Sequence, residues 1–163
     1  MRQSGKLGVW YPIDRLDGAG IKRFLRTIEE ELGYSTLWYP EALGYESLSL
    51  ASFMLANSTR LIIGSSIANA YARDPFTARR RLHTLSRLYD DRFILGLGVS
   101  HAPMVEGLRG HVYDKPVPAM RRYLDGLYGD SSDSAEWPLV IAALGPLMLK
   151  LAAERTAGAV PIT

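Results

Sequence analysis

Residues 60–98, RLIIGSSIANAYARDPFTARRRLHTLSRLYDDRFILGLG, contain a complete strand–helix–strand unit, and the rest of the architecture follows from it. Arg60 to Ile67 is a short run rich in isoleucine, the composition of a parallel strand covered on both faces. Asp74-Pro75 supplies a capping side chain and a first-turn proline, so a helix runs from about Pro75 to Leu88. Arg92 to Gly98 is the next apolar run. A crossover helix between two such strands makes them parallel.

The alternation continues in both directions. Upstream, Leu7–Tyr11 reads as a strand, and a helix runs from about Ala19 to Leu32 and stops at Gly33. Ser35–Tyr39 is a second strand closed by Pro40, and Ser47–Asn57 is a helix with Leu48, Leu50, Ala51, Met54 and Leu55 on its apolar side. Downstream come a long loop from Ser100 to Pro116, a helix from about Pro118 to Leu127, and a disordered-looking stretch from Gly129 to Ser134. Pro138–Ala143 is the fifth strand and Pro146–Arg155 the fifth helix; Gly158–Ile162 begins a sixth strand. The reading is an α/β chain of about six parallel strands with five intervening helices. An open doubly wound sheet and a (β/α) barrel both fit. A complete eight-unit barrel takes about 250 residues, so a barrel here is an incomplete one, with 1–163 as a single partial domain.

Composition narrows the partners. Of 163 residues, 47% are hydrophobic and 22% charged, which excludes a disordered or fibrous chain. Nineteen Lys plus Arg against seventeen Asp plus Glu leave +2, too small a surplus to argue for nucleic acid. The absence of cysteine excludes disulfides and thiolate chemistry and suits a cytoplasmic setting. No run approaches the ~18 apolar residues of a membrane span.

In either architecture, function gathers where strands end at their C-terminal edge. His101 stands directly after the 92–98 strand, and imidazole is the side chain that changes charge between pH 5 and 8. It is a candidate acid–base group or else a solvated loop histidine. Glu41, after the second strand, reads as a general acid, a helix cap or an exposed carboxylate. His83 and His111 are weaker candidates, and no metal-ligand spacing joins the three histidines to each other or to acids. Gly96-Leu97-Gly98 opens like a dinucleotide fingerprint, but His101 occupies the third glycine position and no helix follows at once. Close packing against a neighbouring backbone or a ligand is the alternative for these glycines. Arg73, Arg79, Arg80, Arg81, Arg87 and Arg92 read as a solvated or ion-paired outer face.

Four segments together carry a resemblance. They are Trp38-Tyr39-Pro40-Glu41-Ala42; Ala68 to Pro75; Arg92 to His101; and Ala142-Ala143-Leu144-Gly145-Pro146 with the helix ending Ala152-Ala153-Glu154-Arg155. In order and spacing they resemble the luciferase-like monooxygenase superfamily, and within it the oxidoreductases that use the deazaflavin coenzyme F420. The resemblance implies a TIM-barrel-like fold with a deazaflavin, or alternatively FMN, across the C-terminal strand ends. It places Ser66-Ile67 where relatives often form a non-prolyl cis peptide against the cofactor ring. It implies cofactor contacts at Ser66, Ile67, Ala68, Asn69 and Ser100, with backbone at Leu144 and Gly145 near the cofactor phosphate.

By the same resemblance, His101 falls near an acid–base position, with Glu41 as its partner in handling the proton. Several relatives carry an acidic residue and a histidine at the second strand, where this chain has Tyr39-Pro40-Glu41. Full members continue through two further strands that this sequence lacks. The implied activity is hydride transfer between coenzyme F420 and a small organic substrate. An FMN-dependent monooxygenase is the alternative, as is a catalytically silent domain acting in self-association. A homo-oligomer is expected, because open parallel edges are rarely left bare.

Overall fold

The structure, a computed structural model, describes residues 5, 7–129 and 137–161. Six strands form one continuous path: β1 (Gly8–Trp10), β2 (Thr36–Tyr39), β3 (Ile62–Ser65), β5 (Phe93–Gly98), β6 (Leu139–Ala142) and β7 (Gly158–Val160). A two-residue strand, β4 (Ala68–Asn69), pairs with the far end of β5, and every pairing is parallel. Spatial order follows chain order, so each crossover advances in the same direction. A doubly wound sheet reverses that order at a switch point; this one does not. The winding is that of a half-barrel.

The helices are α1 (Gly18–Arg26), α2 (Ser47–Ala56), α3 (Pro75–Leu88), α4 (Pro116–Tyr128) and α5 (Pro146–Arg155). Their starts are written in side chains. Asp17 accepts from the Gly20 amide at 2.7 Å, and Asp74 accepts from that of Thr77 at 2.9 Å. Glu46 accepts from the amides of Leu48 and Ser49 ahead of α2. Burial pushes the Glu46 carboxyl up, but the Ser49 hydroxyl, those two amides and Arg73 outweigh it and hold it at about 2.

β3 and β5 are buried at every residue, as strands covered on both faces must be. Leu37, Ile63, Phe93 and Leu95 are fully buried, and the helices close over them with Leu25, Met54, Leu82 and Leu124. Two glycines admit close neighbours inside the sheet. A Cβ on Gly64 would lie 2.4 Å from the Trp38 ring, and one on Gly96 would lie 1.9 Å from the Ser65 carbonyl oxygen. The Ser65 hydroxyl donates to the Gly96 carbonyl and accepts from the Gly96 amide, both at 2.9 Å.

The sequence expectations need three structural corrections. The helix expected over 19–32 leaves α-geometry after Arg26 and finishes as a π-helical turn, Thr27–Glu31. The strand expected over 60–67 ends at Ser65; the Ser66–Ile67 peptide is cis, and pairing resumes at β4. Within the 100–116 loop, Pro103–Leu108 is helical. The stretch expected to be disordered falls, from Asp130 onward, outside the described residues.

At the N-terminal ends of the strands, two buried charged groups are fully engaged. Glu29, 4% exposed, accepts from the amides of Thr59, Arg60 and Leu61 and from the Thr59 hydroxyl. Arg92, 6% exposed, donates to the Leu55 and Leu61 carbonyls and the Ser58 hydroxyl at 3.0–3.1 Å. Arg92 is therefore part of the interior and not of an outer arginine face.

Candidate active site

A cleft of about 710 Å³ opens at the C-terminal ends of β5 and β6. β5 delivers Gly98 and, just beyond it, Val99, Ser100 and His101; β6 delivers Ala142 and, beyond it, Leu144 and Gly145. Ile67 forms part of the floor. Its side chain packs against Gly98, where an added Cβ would fall 2.6 Å from Ile67 Cδ1. Gly145 is the residue before α5, so the positive end of that ten-residue helix faces the cleft.

Ser100 adopts a left-handed backbone, φ +57°, uncommon for a residue with a Cβ. That turn carries the chain out of β5 and sets His101 at the cleft rim. The Ser100 carbonyl is held by the Tyr113 hydroxyl, which donates at 3.0 Å. Tyr113 also lines the cleft, and burial, with Tyr71 beside it, raises its hydroxyl above the usual phenol range. Sequence reasoning passed over Tyr113, since a tyrosine in a long loop carries no motif.

Of the residues expected to form the site, the fold brings Ile67, Ser100, His101, Leu144 and Gly145 to this cleft. Ser66, the residue before Ile67, does not line the cleft; it is 2% exposed, its hydroxyl without a hydrogen-bond partner. Ala68 and Asn69 are buried in β4 and do not line the cleft. The Asn69 side chain accepts instead from the Tyr71 amide at 2.9 Å. Glu41 lies elsewhere. Its carboxylate pairs with Arg73 at 2.5 Å, the two side chains 4% and 5% exposed, and accepts from the Asn69 amide at 2.7 Å. Arg73 therefore joins Arg92 as a second departure from the expected outer arginine face. Its partner stands 32 residues away in sequence, and no local pattern announces such a pair.

An apolar floor with polar groups at one rim suits a flat conjugated ring. The helix end at Gly145 suits an anionic part of such a molecule. No arginine or lysine lines the cleft among the described residues, so charge there comes from the helix dipole. No cluster of three or more His, Asp or Glu residues able to hold a metal is present among the described residues, and no described helix is long and apolar enough to cross a membrane.

The family model described as luciferase-like monooxygenase matches residues 14–129. The chain belongs to the luciferase-like monooxygenase family. A Mycobacterium tuberculosis protein named as a proposed coenzyme F420-dependent oxidoreductase is 33% identical over 96 residues, covering 59% of this chain and 28% of that protein. Among solved structures, apo-MsnO8 matches with a TM-score of 0.68 at 21% identity, over 91% of this chain and 53% of its own. The oxygenating constituent of 3,6-diketocamphane monooxygenase from Pseudomonas putida, in complex with FMN, matches with a TM-score of 0.58 at 15% identity, over 75% of this chain and 38% of its own. These structural likenesses establish the luciferase-like fold. This family member spans about half the length of apo-MsnO8 and 28% of the mycobacterial relative.

Proposed function

We propose that the cleft at the ends of β5 and β6 binds coenzyme F420 and that the chain serves hydride transfer between this deazaflavin and a small organic substrate. The observation that carries the reading is the convergence of Ile67, Ser100, His101 and Gly145 on one cleft from three separate strand ends. The name of the mycobacterial relative favours F420. The FMN-bound monooxygenase of the same fold favours the second reading, an FMN-dependent monooxygenase.

The bound cofactor would supply the redox chemistry, and the protein its orientation and a proton. Ile67 and Gly98 would support the ring, the Ser66 hydroxyl would meet one of its polar atoms, and the first turn of α5 would face its anionic portion. His101, exposed at the rim, can exchange protons with solvent and pass one into the cleft. Glu41 would act as a positioning residue: its pair with Arg73 and its bond to Asn69 fix β4, and β4 fixes the Ser66–Ile67 floor. We also propose that the chain self-associates through the β1 and β7 edges, which pair with no further strand among the described residues.

The deciding experiment is a fluorescence titration of the 163-residue protein with F420, run beside FMN. Saturable micromolar binding of F420 and not FMN is expected. Preference for FMN selects the second reading, and binding of neither overturns both. Sedimentation at micromolar concentration is expected to show a dimer or larger; a monomer overturns the self-association.

A further inference from the structure

A second cleft, of about 360 Å³, lies on the far side of the Pro103–Leu108 helix, between that helix and the loop joining β2 to α2. Its charges are almost all spoken for. Glu41 pairs with Arg73, and Glu46 pairs with Arg73 at 3.0 Å and with Arg81 at 3.1 Å. The remaining cation is Arg109. Its side chain makes no ion pair or hydrogen bond among the described residues, and its Nε is buried from solvent. A buried guanidinium donor without an acceptor is costly, and such groups ordinarily meet a partner. Two exposed leucines, Leu43 at 75% and Leu108 at 58%, stand in the walls of the same cleft.

We propose that this cleft is a binding site for a monoanionic aliphatic carboxylate, with Arg109 as its anchor and Leu43 and Leu108 against its hydrocarbon portion. The planar fork of arginine matches a carboxylate with two parallel hydrogen bonds. The lining carries two carboxylates, Glu41 and Glu46, and two guanidiniums, Arg73 and Arg109; Arg73 and, from outside the lining, Arg81 already meet the carboxylates, so Arg109 is left to take a single negative charge. A dianionic phosphate would meet Glu41 and Glu46 in the same wall and be disfavoured. The apolar rim adds area that a small inorganic ion cannot use. This site is separate from the cofactor cleft and does not depend on which cofactor the chain binds.

The test is a titration of the ¹⁵N-labelled 163-residue protein with sodium hexanoate, following the Arg109 Nε–Hε resonance, with sodium phosphate and sodium chloride at matched ionic strength. Neither F420 nor FMN is present, so the outcome is independent of the proposed redox function. The expected result is a saturable hexanoate shift with a millimolar midpoint, and at least tenfold weaker response to phosphate. In Arg109→Gln, the saturable shifts of the Leu43 and Leu108 amides should disappear; in Arg109→Lys they should persist at weakened affinity. A linear response in the parent protein, equal shifts with phosphate or chloride, or saturation that survives in Arg109→Gln would each overturn the proposal. The parent titration decides the matter even if a variant folds poorly.

Discussion

The two ends of the sheet handle buried polar groups in opposite ways. At the N-terminal end, Glu29 and Arg92 are almost wholly buried, and each spreads its charge over several backbone groups. At the C-terminal end, the Ser66 hydroxyl and Arg109 Nε are buried with no partner, and His101 stands exposed on a left-handed turn. Each end has an exception: Thr36 Oγ1, at the start of β2, is buried without a partner, and beyond the C-terminal strand ends Glu41 and Arg73 are buried and paired with each other. The difference separates holding the fold from leaving valences open for a ligand. A group with all its hydrogen bonds made inside the protein contributes stability and is chemically spent.

If that contrast is right, substitutions at the N-terminal end cost stability and those at the C-terminal end cost binding. The largest effect is expected from Arg92→Met, which leaves the Leu55 and Leu61 carbonyls buried without this donor. We expect a loss of about 3–5 kcal/mol, by analogy with breaking other buried polar networks, read as a lower urea midpoint at unchanged m-value. Glu29→Gln should cost about 2 kcal/mol, because charge-assisted hydrogen bonds become neutral ones. A loss below 0.5 kcal/mol in either variant would remove the basis of the comparison.

Acid should weaken one carboxylate network at each end. Burial raises the Glu29 carboxyl, yet the amides of Thr59, Arg60 and Leu61 and the Thr59 hydroxyl outweigh it and lower the net value. Glu46 is held at about 2 against an ordinary 4.5. Both carboxyls protonate at lower pH in the folded chain than in the unfolded one. Their stabilisation is complete above the ordinary carboxyl value of about 4.5 and is lost as the pH falls below it, for Glu46 as the pH falls through about 2. Chemical denaturation between pH 6 and pH 2 should show that slope, and Glu29→Gln should flatten it. Glu46 is 41% exposed, so Glu46→Gln should flatten it less.

The smallest stability effects belong to the other end. Ser66→Ala and His101→Ala should each shift stability by no more than about 0.5 kcal/mol, the usual range away from satisfied networks. Ser66→Ala should still weaken cofactor binding, by about fivefold for one lost neutral hydrogen bond. A Ser66→Ala protein that unfolds early but binds cofactor normally would reverse the assignment of the two ends.

Much of the scaffold was legible because its signals are local. Asp74-Pro75 starts α3 where the capping pattern indicates, and Gly33 ends the first helical segment with φ +70°. His101 was legible at the end of a strand, and Gly145 through the family resemblance. What stayed hidden was non-local. The Glu41–Arg73 pair spans 32 residues, and the helix at Pro103–Leu108 contains Pro103 and Gly107 and lacks an apolar repeat. The interruption of β3 after Ser65 has no signature in Ser65-Ser66-Ile67-Ala68 itself; only the family resemblance located it. Arg109 drew no notice because an arginine without a partner looks, in sequence, like any other.

The contact between Gly96 and Ser65 works as a gauge of alignment. β3 and β5 could slide past one another by one residue and still present apolar side chains, since both strands are buried throughout. Such a slide would bring Leu95 or Leu97 to the place where the Ser65 carbonyl leaves no room for a Cβ. It would also separate the hydroxyl that occupies both backbone groups of Gly96. Wrong alignments are thus refused at one point in the middle of the sheet, and the residue that refuses them is the smallest in the strand.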